Sequence, residues 1–314
     1  MGRNHARILA QLEGALLSGV FDVERSRADS VASAHGVPVC SSPDDLIAAS
    51  DAVVVSAPTT VHRMLAEKCI AAGRHVLVEK PLAATAADAE AVARAADRAG
   101  VALLVGHIER FSPVLMELRS LLARERILSI SARRMSPPTP HIEVDVVFDL
   151  MIHDLDLLRY LTGRDLVQAA AVGVRLGAAS ADLVLAHVVL DGGILCDLTA
   201  SKVALHKIRE MVVSARGAFA TADLISGQLV VYRKAIPEFV PDHGTARFRE
   251  ETVVEHPYVA NAEPLRNELE HFLDCVRGRC SPLMSGAEGV EAIRMAEAVT
   301  RAVAERRVVA DALS

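Results

Sequence analysis

The order of local patterns predicts an α/β protein of two domains. Residues 1–106 read as a doubly wound, parallel-sheet domain, and 107–314 as an α+β domain with a mostly antiparallel open sheet. Three observations carry this reading. Short apolar runs alternate with helical stretches of about 10–15 residues as far as Gly106, the pattern of βαβ units. Beyond that point strands dominate, joined by Asp191-Gly192-Gly193, Arg216-Gly217 and Ser226-Gly227, which are hairpin signals. The chain also opens on a helix, whereas a doubly wound sheet is built around a first, central strand.

Each element follows from its residues. Ala6, Leu9, Ala10 and Leu12 fall at helical spacing. Residues 16–22 read as a strand ending in Asp22, and 25–35 as a helix closed by Gly36. Residues 37–40 form a short strand. Ser42-Pro43 then opens a helix, with Ser as cap and Pro in the first turn. Strands over 51–56, 76–78 and 101–106 alternate with helices over 61–72 and 85–99, the second opened by Thr85-x-x-Asp88 and stopped by Gly100. The second half offers a helix from Ser112-Pro113 to about 123, a strand over 127–135, a proline-rich loop over 136–141 and a helix over 145–161. Strands over 183–190, 194–198, 211–214, 218–224 and 228–233 follow, and helices over 264–277 and 287–305 close the chain.

Composition narrows the function classes. With 51% hydrophobic and 24% charged residues the chain can bury a core and is not a disordered segment. Aromatics are 3%, Trp is absent, the net charge is -6 and no basic stripe stands out, so nucleic acid is not an expected partner. No apolar run approaches the roughly 20 residues that span a bilayer, so no membrane is expected either, and the first residues lack the layout of a signal peptide. Cys40, Cys69, Cys196, Cys275 and Cys280 are few and scattered, which fits reduced thiols in a cytoplasm. Cys275 and Cys280 are five apart with no His cluster nearby, so no metal site is expected.

Three constellations could carry chemistry. The first is 75–81, His-Val-Leu-Val-Glu-Lys-Pro, which places Glu79 and Lys80 at the carboxyl end of a buried strand, where ligands bind in open parallel sheets. The second is Phe148-Asp149-Leu-Met-Ile-His153-Asp154-Leu-Asp156. Its Asp149 and His153 are i and i+4 on a helix, and a carboxylate beside an imidazole suits a proton acceptor near neutrality. The third is 106–111, Gly-His-Ile-Glu-Arg-Phe, at the end of the last parallel strand. A bland reading stands beside each: a solvated lysine, a capped helix start and an ordinary linker. Asp22, twenty positions after Gly2, has the spacing of the acid that binds a ribose 2′-hydroxyl after a glycine-rich turn. Gly2 would then be the last glycine of G-x-G-x-x-G, and the first strand of the Rossmann-like domain would lie upstream, so an N-terminally truncated sequence is expected.

Val78-Glu79-Lys80-Pro81-Leu82, Ala57-Pro58-Thr59-Thr60-x-His62 and Asp149-x-x-x-His153-Asp154 together resemble the Gfo/Idh/MocA family of NAD(P)-dependent oxidoreductases. Met1-Gly2-Arg3-Asn4-His5 resembles the second half of that family's glycine-rich turn, and the resemblance runs through nearly the whole chain. The Gly106–Phe111 run, the Ser136-Pro-Pro-x-Pro140 loop and the 149–154 motif are similar to members that oxidise UDP-N-acetylglucosamine at the sugar 3-position. The resemblance implies hydride transfer between a secondary alcohol of a sugar, nucleotide sugar or polyol and a nicotinamide. It implies His153 as base, Asp149 orienting it and Lys80 on the reacting oxygen, with these two roles exchangeable. It implies cofactor contacts from Gly2, Asp22, Ala57, Pro58, Thr59, His62, Glu79 and Lys80, and substrate contacts from His107, Glu109, Arg133 and Asp154. NAD is the expected cofactor because Asp22 repels a 2′-phosphate, with NADP left open by Arg25 and Arg27 nearby. A homodimer or homotetramer is implied. The alternatives are a non-catalytic dinucleotide-sensing protein and an inactive truncated product.

Overall fold

The computed structural model describes every residue except 139–144, 177–179, 235–237, 243–244, 250–251 and 306–314. The chain forms two compact units, Met1–Phe111 with Ala262–Arg294, and Ser112–Asn261 with Met295–Ser314. The division expected near residue 106 therefore falls at Phe111, and a distant stretch returns to the first unit.

Unit 1 contains α1 (Gly2–Leu9), α2 (Arg25–His35), α3 (Pro43–Ala48), β1 (Ala52–Val55), α4 (Thr59–Ala71), β2 (His75–Glu79), α5 (Ala86–Ala99) and β3 (Leu103–Gly106), then a 3-10 turn at Ile108–Phe111. Strands β1, β2 and β3 pair in that order, all parallel. The central strand β2 is Val76-Leu77-Val78, each fully buried, which is why its run is continuously apolar rather than alternating. Helix ends follow their caps: Ser42 accepts the Asp45 N–H, Thr85 accepts the Asp88 N–H, and Gly36 and Gly100 close α2 and α5 in the left-handed region. The two strands expected over 16–22 and 37–40 reduce to one parallel bridge, Val20 to Val39, apart from the three-stranded sheet. A strand needs a ladder partner along its length, and here only one residue on each side finds one.

Unit 2 runs through α6 (Pro113–Leu122), β4 (Ile127–Met135), a π-helical turn (Val147–Met151), α7 (Ile152–Thr162), β5 (Leu166–Val174), β6 (Leu183–Leu190), β7 (Ile194–Ser201), β8 (Ile208–Ala215), β9 (Ala218–Asp223), β10 (Gln228–Lys234), β11 (Glu238–Asp242), β12 (Thr245–Arg249) and β13 (Thr252–Glu255). Eight of these strands make one sheet in the order β13-β10-β9-β8-β4-β7-β6-β5, antiparallel except for β4 with β7. The buried residues of β6 and β7 alternate, so one face is core, and α6 and α7 pack against strands of this sheet. Strands β5, β11, β12 and β13 are absent from the sequence expectation. β5 is Ala- and Gly-containing and its burial is irregular, so it carries little period-2 signal. Helix α8 (Pro264–Val276) belongs to unit 1, and α9 (Gly286–Glu305) begins there. A Cβ on Gly289 would lie 2.8 Å from Val105 Cγ2, so the start of α9 meets β3 at glycine distance.

Candidate functional site

The carboxyl edge of the parallel sheet gathers the first set of residues. α1 presents its N-terminus there with no side chain capping it and no acid in its first turn. A Cβ on Gly2 would lie 2.8 Å from Ser56 Oγ, so this helix start comes close to the end of β1 and a larger residue would make the Ser56 hydroxyl shift. An uncapped helix N-terminus at a glycine is the local geometry that receives a diphosphate. His5, on the same helix, brings Nε2 to 2.7 Å from Glu79 Oε1 at the end of β2. On the far side of Glu79, a Cβ on Gly106 would lie 3.0 Å from the Glu79 backbone. Lys80 follows, half-buried, and the Lys80–Pro81 peptide is cis.

His62 was expected among the cofactor contacts, and its position argues for a different part. It is buried, with Nδ1 2.8 Å from the Pro81 carbonyl and Nε2 2.7 Å from the Ala57 carbonyl. The ring thus braces the turn after β1 against the turn after β2, and its nitrogens are engaged with protein oxygens. Ala57 and Thr59 are half-buried and Pro58 exposed in the first of those turns. Asp22 is half-buried and accepts the Glu24 N–H at 2.8 Å. Arg25 and Arg27, the cations that would favour a 2′-phosphate, pair with Asp29 and Glu24. The uncapped helix start at Gly2 can take a diphosphate and the Asp22 carboxylate can take a ribose hydroxyl, a pairing that suits NAD.

Sequence reasoning missed Glu268 in this unit. It lies on α8, fully buried, and neither carboxylate oxygen has a hydrogen-bond partner among the described residues. Burial, then the Glu79 charge, pushes its pKa well above the carboxylate range. An acid placed in an otherwise apolar stripe, with Leu265, Leu269 and Phe272 around it, was the available signal. His107 and Glu109, expected to touch substrate, are buried in unit 1, 1% and 9% exposed. Arg110 beside them is 2% exposed, donates to the Leu283 carbonyl at 2.9 Å and pairs with Glu288 at 2.6 Å.

Unit 2 holds the second set. Asp149 lies in the π-helical turn and His153 in the first turn of α7, half-buried. A π turn bonds i to i+5, so the simple i, i+4 face assumed for these two is rewound here, as is frequent at functional sites. Asp145 anchors the turn by accepting the Val147 N–H at 2.7 Å, and burial raises its pKa. Lys202, just after β7, brings Nζ to 3.7 Å from Asp149 Oδ2 and is an unanticipated member of this group. Asp154 and Arg133, expected to touch substrate, are each engaged in an ion pair. Asp154 is 3% exposed and clamped by the Arg134 guanidinium at 2.9–3.1 Å, so its oxygens are spent on an internal ion pair. Arg133 is exposed and pairs with Glu210 across β4 and β8. Much of the proline-rich loop expected beside them lies outside the described residues.

Among the described residues, one group could hold a metal ion where none was expected. His271, Cys275 and Cys280 bring their ligand atoms within 4.8 Å of one another. The histidine is four residues before Cys275 on α8, a helical turn away, which a search for His clusters overlooks.

Comparison with known proteins identifies the family. Residues 1–107 match the Gfo/Idh/MocA oxidoreductase family's NAD-binding Rossmann fold, and residues 140–310 match that family's C-terminal alpha/beta domain. UDP-N-acetylglucosamine 3-dehydrogenase of Acidithiobacillus ferrooxidans is 33% identical over 96% of this chain and 94% of its own. Inositol 2-dehydrogenase of Rhizobium meliloti is 28% identical over 98% and 95%. Among solved structures, the Acidithiobacillus ferrooxidans enzyme superposes with a TM-score of 0.88 at 32% identity, covering 96% of this chain and 94% of that one. A levoglucosan dehydrogenase in complex with NADH and levoglucosan superposes with a TM-score of 0.82 at 18% identity, over 97% and 95%, a likeness of fold alone.

Proposed function

The chain belongs to the Gfo/Idh/MocA oxidoreductase family, and on that footing we propose that it oxidises a secondary alcohol of a UDP-linked N-acetylhexosamine with NAD. It is an NAD-dependent oxidoreductase of the sugar and polyol class. The observation that carries the finer substrate is the 33% identity to UDP-N-acetylglucosamine 3-dehydrogenase along 96% of the chain, against 25%, 28% and 30% for inositol enzymes matched over comparable lengths.

The roles follow from chemistry. NAD, when bound, accepts the hydride from the alcohol carbon. His153 takes the hydroxyl proton, and Asp149 sets its ring. Lys80 donates to the oxygen as negative charge develops on it, the kind of contact that is strongest in the transition state. Lys202 holds the Asp149 carboxylate. A homodimer or homotetramer joined through the open face of the eight-stranded sheet accompanies this reading, since Leu185, Leu195 and Phe219 are exposed there. The cytoplasm suits its five thiols.

The test is NADH formation with UDP-N-acetylglucosamine, UDP-N-acetylgalactosamine, myo-inositol, scyllo-inositol and glucose. The UDP-sugars should give the highest kcat/KM. A preference for inositol would remove the nucleotide-sugar assignment and leave the class. Lys80→Ala and His153→Ala should each lower kcat by about 100-fold or more with the melting temperature unchanged. Full turnover in either variant would take that residue out of the mechanism.

A further inference from the structure

The group at the end of α8 has no part in the reaction above. Cys275 is 6% exposed on the last turn of α8, Cys280 is exposed in the following turn, and their sulfurs are 3.6 Å apart, in van der Waals contact. The turn between them passes through Gly278 with φ of 70°. It is held beyond Cys280 as well: the Leu283 carbonyl accepts from Arg110 and the Met284 carbonyl from the Val105 N–H. The two thiols are therefore kept together by the fold.

The His271 ring decides between two chemistries. Its Nε2 accepts the Leu283 N–H at 2.8 Å, which leaves the ring proton on Nδ1. Nδ1 faces Cys280 Sγ at 3.7 Å. Burial lowers the pKa of this imidazole, in keeping with the neutral ring. A zinc ion would need a ring lone pair. One lone pair is taken by Leu283, and the other nitrogen carries the proton, so coordination would have to break the Leu283 bond or strip the ring. Oxidation of the dithiol requires neither.

We propose that Cys275 and Cys280 form a reversible oxidation site that hydrogen peroxide closes to a disulfide. The exposed Cys280 sulfur, as thiolate, attacks one peroxide oxygen. An S–O bond forms, the O–O bond breaks, and the departing hydroxide takes up the thiol proton as water. Cys275 then attacks the sulfenic sulfur. The S–S bond forms, the S–O bond breaks, and hydroxide leaves as a second water with the Cys275 proton. Two thiols lose two electrons and two protons, and one peroxide becomes two waters. Order follows from access: Cys280 is exposed and meets peroxide first, whereas Cys275, Cys69 and Cys196 are buried.

The full chain is treated with hydrogen peroxide, quenched with catalase, alkylated and cut with trypsin. Arg277 and Arg279 lie between the two cysteines, so trypsin separates them unless a disulfide joins the peptides. Alkylatable thiols should fall from five to three as two are consumed, the joined pair should appear, and dithiothreitol should restore all five. In Cys275→Ser, Cys280 should be trapped as a sulfenic acid that reacts with dimedone, and in Cys280→Ser no joined pair should form. The proposal is overturned if both cysteines still alkylate after peroxide, or if Cys280 is carried to the sulfinic acid with Cys275 unmodified. A parallel sample equilibrated with zinc chloride and dialysed should retain no zinc. One ion per chain, lost in Cys280→Ser, would replace the oxidation site with a metal site.

Discussion

Glu268 carries a cost that pH should expose. The folded chain holds this buried acid protonated well above the carboxylate range, first through desolvation and then through the Glu79 charge. The unfolded chain releases that proton at an ordinary carboxylate pKa. The folded state therefore binds more protons, and the stability this group contributes is complete below the unfolded pKa and is lost as pH rises toward the folded one. Glu268→Gln copies the protonated acid and removes the titration. The variant's melting temperature should match the wild type near pH 4 and exceed it by a margin that grows toward neutrality and above. A margin that stays flat from acid to neutral pH would mean that Glu268 ionises freely in the fold. Its neighbour Glu79 shows the opposite arrangement: the His5 ring faces its carboxylate at 2.7 Å, so two acids close in space meet different environments.

At the scale of elements, the Arg134–Asp154 clamp ties the end of β4 to the first turn of α7, the turn that carries His153. Both partners are almost completely buried. Removing one leaves an uncompensated charge, so Arg134→Met should cost about 3–5 kcal/mol by urea unfolding, whereas Arg134→Met with Asp154→Leu should cost much less. Equal losses in the single and double variants would mean that the clamp acts by shape and not by charge. Elements of this kind mark the boundary of what the sequence discloses. The helices closed by Gly36 and Gly100, the cap at Thr85 and the buried strand ending in Glu79-Lys80 were legible because each is fixed by neighbouring residues. The Arg134 clamp and the Lys202 contact with Asp149 were not, since each joins residues 20 or more positions apart. The same limit explains Asp154. Its motif pointed to substrate, while an arginine on a separate strand had already engaged its oxygens.

For the whole molecule, the informative fact is that unit 1 is assembled from two stretches far apart in the chain, 1–111 and 262–294. Leu265, Leu269 and Phe272 are buried on α8, which packs against α1 and the 108–111 turn, and the Val105 N–H donates to the Met284 carbonyl. Burying these side chains is what draws the late helix back, and hydrophobic periodicity alone does not say which core it will join. NAD should therefore stabilise α8 along with the parallel sheet, although no expected cofactor contact lies on that helix. A ligand at about 100 times its Kd lowers the population of states that cannot bind it by about 2.7 kcal/mol. Amide exchange that proceeds through opening of unit 1 should slow about 100-fold by the same linkage. Hydrogen exchange with and without saturating NAD would show this slowing in α1, β2 and α8 together, while β9 and β10 exchange at an unchanged rate. If α8 instead follows β9 and β10, the late segment is not part of the unit that NAD stabilises, and the division of the chain drawn here fails.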